Sequence, residues 1–349
     1  FSNENVWWGP GQFGALILSN NAPGFGHLHL STRRPIRNPV MDIEFQFIAA
    51  GFDQDSTLNS EITFLRGAPF TRQWRYMNGF AIVLQPKPIP GLYLGLTRAM
   101  QFYRWQLSQM PDKISFLEKY IPAVTAFFGP LNPQSVDNNF NDGRDQQASV
   151  FFRFIMPKDH FEVYFEYGYN DYKDNLRDLT IDPQHSAAYL AGIKKMIPLP
   201  KKNQYIGVSL EAIQLAQSPD FITRNAGNWY LHGVMSQGFT HMNQILGVGS
   251  GLGNNIQTLQ LEKVMEGNRV GIRLQRIQND PRRLVGSINT AFLGPIQWND
   301  LATGVFGQWR FGKLAVKGEC LYVRSNNYGW EQNLSMHNIF GSLNFLYSW

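Results

Sequence analysis

Read back from its C-terminus, the chain alternates. Trp349, Tyr347, Phe345, Leu343, Gly341 and Ile339 form one apolar, aromatic or small series, and Ser348, Asn344, Ser342 and Asn338 fall between them. Successive side chains of a strand point to opposite faces, so a period of two predicts one greasy and one polar face. The segment 337–349 is also long enough to cross a bilayer when tilted. Similar segments recur upstream. Leu314, Val316, Gly318, Cys320 and Tyr322 alternate with Lys313, Ala315, Lys317 and Glu319, while Phe161, Val163, Phe165, Tyr167 and Tyr169 alternate with Glu162, Tyr164, Glu166 and Asn170. Shorter runs repeat the pattern at Ile43–Phe47, Val150–Met156 and Val270–Leu274. The pattern predicts about thirteen strands, near 26–33, 42–52, 79–86, 91–101, 147–156, 161–170, 186–197, 204–214, 256–265, 268–278, 302–311, 313–323 and 337–349.

The polar face often carries charge: Glu44, Arg153, Glu162, Glu166, Glu211, Arg273, Arg310, Lys317 and Glu319 all fall on it. A dry protein core would not take these groups without partners, whereas a watered or hydrogen-bonded barrel lumen would. Connection lengths alternate as well. Pro86–Pro90, Pro157–His160, Leu199–Asn203, Glu266–Asn268 and Phe311–Lys313 are tight turns built on Gly, Pro, Asp or Asn. Long connectors lie near 53–78, 102–146, 171–185, 215–255, 279–301 and 324–336. Transmembrane barrels alternate short periplasmic turns with long extracellular loops. Placing Trp349 at the periplasmic end makes every short turn periplasmic and every long connector extracellular. The expected fold is therefore all-β, a single transmembrane antiparallel β-barrel domain over 1–349. An even-stranded barrel with both termini in the periplasm starts on an upward strand, yet this series starts downward, so further strands are expected before Phe1.

Composition agrees with strands that face lipid on one side. Of 349 residues, 43% are hydrophobic and 14% aromatic, yet mean hydropathy is only −0.28 and charged residues make up 16%. No run of about 18 apolar residues exists that could form a membrane helix. A large soluble β protein fits these averages equally well; the strand pattern separates the two. The net charge of +5 is too weak to argue for nucleic acid, and Cys320, the only cysteine, excludes an internal disulfide. His-Glu-x-x-His, the phosphate-binding loop and Gly-x-Ser-x-Gly are absent, so no enzyme, metal site or cofactor is predicted. His27 and His29, two apart on one strand face, read as a metal pair or as lumen hydrogen-bonding groups. His185 and Ser186 are neighbours that point to opposite faces. The clusters Arg33, Arg34, Arg37 and Lys194, Lys195, Lys201, Lys202 fall at the short-turn end, as lipid-phosphate contacts or as solvated turns.

One block is distinctive: Trp7-Trp8-Gly9-Pro10-Gly11, preceded by Val6 and followed by Ala15-Leu16-Ile17-Leu18-Ser19-Asn20-Asn21-Ala22-Pro23. It resembles the Wzi family of capsule-assembly proteins. Gly91–Arg98 and the stretch His232-Gly233 with Gly238–His241 are similar to that family more loosely. The resemblance implies an outer-membrane barrel of about eighteen strands in a Gram-negative bacterium, a surface lectin for capsular polysaccharide. It also implies several strands and a small helical element ahead of the block, about five strands more than this chain supplies. The loops at 102–146 and 279–301 have their own sequence, which puts carried-over sugar specificity in doubt. Within the block, Gly9-Pro10-Gly11 is a rigid turn between residues that permit unusual backbone angles. Trp7 and Trp8 could stack on sugars, plug the lumen or anchor an inward-folded segment, and Ser19, Asn20 and Asn21 suit turn capping; a structural role is favoured.

The function expected is binding of capsular or other surface polysaccharide without cleavage. The rivals are a diffusion porin and a scaffold subunit among other outer-membrane proteins. Flat rings and amides or carboxylates occur together on three connectors: Trp229, Tyr230, His232 and His241 on 215–255, Trp298 and Asp300 on 279–301, and Asn327 and Trp330 on 324–336. Those eight are the candidate carbohydrate contacts. Trp298 and Trp330 could instead belong to an interfacial aromatic girdle, and His232 and His241 to a solvated surface. Outer-membrane lipid is the other expected partner.

Overall fold

A computed structural model describes residues 1–52, 74–109, 116–125, 144–170, 183–217, 228–232, 235, 237–279 and 296–348. Strands are β1 (His27–Ser31), β2 (Ile36–Arg37), β3 (Met41–Phe52), β4 (Arg75–Pro86), β5 (Leu92–Tyr103), β6 (Asp145–Met156), β7 (Phe161–Asn170) and β8 (Ala187–Pro198). They continue as β9 (Gln204–Gln214), β10 (Thr240–His241), β11 (Gln244–Ile245), β12 (Asn255–Met265), β13 (Asn268–Asn279), β14 (Trp298–Phe311), β15 (Leu314–Asn326) and β16 (Ser335–Tyr347). All but β10 and β11 belong to one fourteen-stranded antiparallel sheet, ordered as in the sequence, with β2 on β3 beside β1. Every predicted strand is present. Most of the predicted long connectors, and Trp349, lie outside the described residues.

Tight turns pin the register. Gly267 (φ 88°) and Gly312 (φ 59°) take the left-handed backbone that two-residue hairpin connections need. From those turns β14 and β15 pair without slippage from Phe311↔Leu314 up to Asn299↔Asn326. A one-residue slip would reverse both faces, so the register confirms the predicted sidedness. Glu166, Glu211, Arg273 and Glu319 share one face, and Val150, Ile272, Phe345 and Tyr347 the other, largely exposed one.

Two strand starts differ from expectation. β4 begins at Arg75 and β14 at Trp298, each four residues early. Asn299 and Asp300 read locally as turn formers, but pairing on both sides holds them extended, Asp300 opposite Ile277 and Ser325. Trp298 and Asp300 are thus strand residues rather than loop residues.

The sheet curls around a plug. Residues 1–26 reach Gln46 of β3 through the Trp8 indole, 2.9 Å, and lie under Arg273 of β13, whose guanidinium sits 5.4 Å from the Phe13 ring centre. One short segment can meet strands so far apart in the sheet only if the sheet wraps it. The plug is the hydrophobic core of the molecule: Leu16, Ile17, Leu18, Leu190, Ile213, Trp229, Tyr230 and Phe239 are buried there. β1 and β16 are the two edges of the described sheet.

The outward face is partly covered. Helical turns at Phe116–Tyr120 and Pro122–Thr125 lie against it near the long-connector end of β3–β5. There the Tyr76 hydroxyl donates to the Tyr120 carbonyl (2.7 Å) and Ala123 N–H to Asn78 Oδ1 (3.0 Å), burying Phe80 and Met100.

Candidate functional site

The long-connector end of the barrel carries two groups of aromatic residues with opposite surroundings. The first belongs to the plug. Backbone turns in 9–16 leave N–H groups that no strand satisfies, and carboxylates projecting from β7 and β9 take them. Glu211 accepts from Gln12 N–H (2.6 Å), Phe13 N–H and the Tyr164 hydroxyl (2.8 Å). Glu166 accepts from the Ser149 hydroxyl (2.6 Å) and from Leu16 N–H. Each carboxyl group offers two acceptor oxygens, and these donors satisfy them, which is why the two glutamates can stand inside the barrel.

Residues 228–232 and 237–254 fold onto the same plug. Ser19 Oγ donates to Gly247 O (2.5 Å), Asn21 Nδ2 to Ile245 O (2.8 Å), and Ser19 N–H to Leu246 O (2.8 Å). Trp229 and Tyr230 are both fully buried. The Trp229 indole donates to Ser186 O (3.0 Å), and its ring covers Gly168, where a Cβ would come within 2.8 Å of it. The Tyr230 hydroxyl donates to Leu16 O and accepts from Val248 N–H. Burial holds the Tyr230 phenol above its ordinary pKa, so it remains a neutral donor. A belt of polar groups locks the outer rim of this segment. Arg75 donates to Gly238 O, Thr240 O and Gln101, Gln101 to Asp145, Gln147 to Asp145 and Asn170, and Asn170 to Leu231 O.

The second group stands at the mouth on β14 and the β15–β16 connection. Trp298 packs edge-on against Tyr328 (ring centres 4.8 Å apart) and Trp330 (4.9 Å). Left-handed backbone at Asn327, Gly329, Trp330 and Asn333 turns the connection tightly enough to return both rings to Trp298. Asn327 fixes that turn, donating from Nδ2 to Gln297 O (3.0 Å) and accepting at Oδ1 from Asn333 N–H (3.0 Å). Asp300 orients the central ring: one oxygen accepts from Trp298 Nε1 (2.7 Å) and the other from Asn279 Nδ2 (2.7 Å). Asn279 in turn accepts from Asn254 Nδ2 (2.9 Å), where the plug re-enters β12. Tyr328 is 43% exposed, and Gln297, Glu331, Gln332 and Asn333, near it or Trp298 in the sequence, are exposed as well.

The eight predicted sugar contacts therefore divide. Trp298, Asp300, Asn327 and Trp330 come together, and Tyr328 joins them. Trp229 and Tyr230 do not: the connector around them turns inward, because Leu16, Gly168 and Gly247 offer their rings a closely fitted apolar seat. They carry no surface for a sugar. His232 stays near the surface, with Nδ1 3.4 Å from Met235 N–H, and His241 lies over Phe52 and beside Phe25. Asp300 and Asn327 hold the cluster rather than offer free polar atoms. Asn279 and Asn254 were not singled out, since as isolated asparagines they read only as strand ends.

The motif lies inside the sheet, as part of the plug. Trp8 pairs with Leu18 and plugs the lumen, Gly9 lies against the Glu166 carboxylate, and Ser19 and Asn21 tie to 245–247. Trp7 and Gly11 are part of the same turn, with Pro10 and Gly11 buried and Asn20 exposed. His27 Nδ1 bonds to Phe25 O (2.8 Å), and no group of three metal-ligating side chains occurs among the described residues. The lumen charges pair across strands, Arg153 with Glu162 (2.7 Å) and Arg273 with Glu319 (2.5 Å).

The sequence model of the family described as Capsule assembly protein Wzi matches residues 2–327. The chain belongs to that family. Its fold is similar to that of Wzi of Escherichia coli, an outer-membrane protein involved in group 1 capsule assembly and a carbohydrate-binding β-barrel. The TM-score is 0.64 at 19% identity, over 99% of this chain and 66% of that one. The chain thus spans 66% of the length of the solved structure it matches. No curated protein sequence matches.

Proposed function

We propose that this member of the Wzi capsule assembly family is an outer-membrane barrel that holds surface polysaccharide at its extracellular mouth without cleaving it. The observation that carries the reading is the solvent-facing ring cluster of Trp298, Tyr328 and Trp330 above a filled lumen. Aromatic faces take the C–H side of a sugar ring, and amides and carboxylates around them take hydroxyls. Asp300, Asn279 and Asn327 preorganise the cluster, which lowers the ordering cost of binding. The long connectors are extracellular in this reading and the tight turns periplasmic, as in transmembrane barrels generally. An outward band of Ile272, Val305, Leu343 and Phe345 would face hydrocarbon.

The plug speaks against the diffusion porin. Apolar packing and carboxylate-to-backbone bonds fill the space a solute would need, and four of the lumen charges pair, Arg153 with Glu162 and Arg273 with Glu319. The test is glycan binding by the full protein in bilayers, using capsular polysaccharide prepared from the producing strain. Replacing Trp298, Tyr328 and Trp330 together by Ala should abolish binding while the barrel stays folded. Unchanged binding would refute the assignment, and steady ion conductance by the unmutated protein would favour a porin instead.

A further inference from the structure

The outward wall is not convex everywhere. Across β6–β14 it carries a concavity of about 940 Å³, at the upper end of ligand-pocket sizes, roughly 300–1,000 Å³. Register explains its shape. Ala191 of β8 and Ala212 of β9 are paired neighbours at its floor, with Phe165 rising beside Ala191 on one side. One row nearer the tight turns, Leu259 and Leu274 pair to form the opposite wall. Two adjacent methyl side chains between rings and long aliphatics leave a trough in the barrel's lipid face. An apolar chain lying there gains contact on several sides at once, unlike a chain on a convex wall.

The trough has a charged flank. In the same row, Ala212 pairs with Gln257, Gln257 with Arg276, Arg276 with Leu301, and Leu301 with Arg324. Arg276 and Arg324 therefore stand outward on one row, two strand spacings or roughly 10 Å apart. Arg276 donates to Gln257 Oε1 (2.9 Å) and Asn299 Oδ1 (3.0 Å), both neutral amides. Among the described residues neither arginine forms an ion pair. Arg276 lies three residues below the strand end at Asn279, about 10 Å, a depth suited to a headgroup.

We propose that this trough binds one phosphate-bearing acyl lipid, with an acyl chain over Ala191 and Ala212 and the phosphate between Arg276 and Arg324. Guanidinium groups are planar forks matched to phosphate oxygens, and the amides of Gln257 and Asn299 preset the Arg276 fork. The proposal rests on the reading of the sheet as a membrane barrel.

The test is native mass spectrometry of the full protein in detergent, titrated with dioleoylphosphatidylglycerol and, separately, with uncharged dioleoylglycerol. The protein should retain one phosphatidylglycerol under activation that strips detergent. The pair R276Q and R324Q should weaken that lipid at least tenfold and leave dioleoylglycerol unchanged, while A212W, which fills the trough, should remove both. V316W, outward on β15 beyond the trough, should bind as the unmutated protein does. Phosphatidylglycerol retention by A212W, or by R276Q with R324Q, equal to that of the unmutated protein would overturn the site. So would a dimer that A212W dissolves, which would make a second copy the occupant. Flotation with phosphatidylcholine liposomes separates the two levels: failure to insert refutes the membrane reading and the site with it, whereas insertion without lipid retention refutes the site alone.

Discussion

Trp229 with Tyr230, and Trp298 with Tyr328 and Trp330, are much alike as short strings of residues. Each is an aromatic cluster at the same end of the barrel, flanked by amides, the first on a connector and the second shared between β14 and a connector. Their fates are opposite. Trp229 and Tyr230 are fully buried, their polar atoms spent on Ser186 O, Leu16 O and Val248 N–H. Trp298 and its partners pack edge to edge within a hydrogen-bonded frame, and Tyr328 is 43% exposed. The difference lies in what each cluster packs on. Glycines at 168 and 247 open a seat for the first, whereas the second stays partly open to solvent among the described residues.

If that contrast is right, stability and sugar binding should respond to different residues. The largest effect is expected from Trp229→Ala, which empties a closed site and should lower unfolding stability by about 3–5 kcal/mol in a urea titration. Glycan affinity per folded molecule should hardly change. A loss below 1 kcal/mol would mean that the plug does not pack as described. Glu211→Ala removes the acceptor shared by Gln12 N–H, Phe13 N–H and the Tyr164 hydroxyl, and should cost about 2–4 kcal/mol. It should also loosen the plug, read as faster hydrogen exchange at residues 12–16. Protection equal to that of the unmutated chain would show the clamp to be idle.

Trp298→Ala is the converse experiment. It should leave stability within about 1 kcal/mol, because the ring is only half-buried, and weaken glycan binding at least tenfold, about 1.4 kcal/mol. Equal binding would dissolve the comparison, leaving both clusters structural. The smallest effect is expected for Asp300→Asn. The amide oxygen can still accept from Trp298, but the link to Asn279 changes character, so binding should fall only a few-fold. A loss as large as that of Trp298→Ala would make Asp300 a direct contact instead of an orienting group.

The period-two alternation located the strands, their faces and the split between short and long connections, because each is a local property. Side chains alternate along a strand whatever the rest of the molecule does, and unlike surroundings on the two sides of the sheet keep one series apolar. Glu166, Glu211 and Arg273 were readable as inward-facing for that reason. The Val6–Pro23 block was also legible, since its residues form one compact turn.

The plug was decided elsewhere. Its bonds join Gln12 to Glu211 and Ser19 to Gly247, separations of 199 and 228 residues, between irregular segments that have no period. Nothing in 215–255 distinguishes a connector that folds inward from one that faces water; the distinction arises from the fit of Trp229 to Gly168 and of Tyr230 to Gly247. Trp298 and Asp300 were misplaced for a related reason. Asn299 and Asp300 locally favour a turn, and only ladders from β13 and β15 on both sides extend them into strand. Sequence alone therefore determined which residues face in and which face out. Tertiary structure decided which aromatics are core and which are site, because burial is conferred by the surfaces that meet a residue and not by the residue itself.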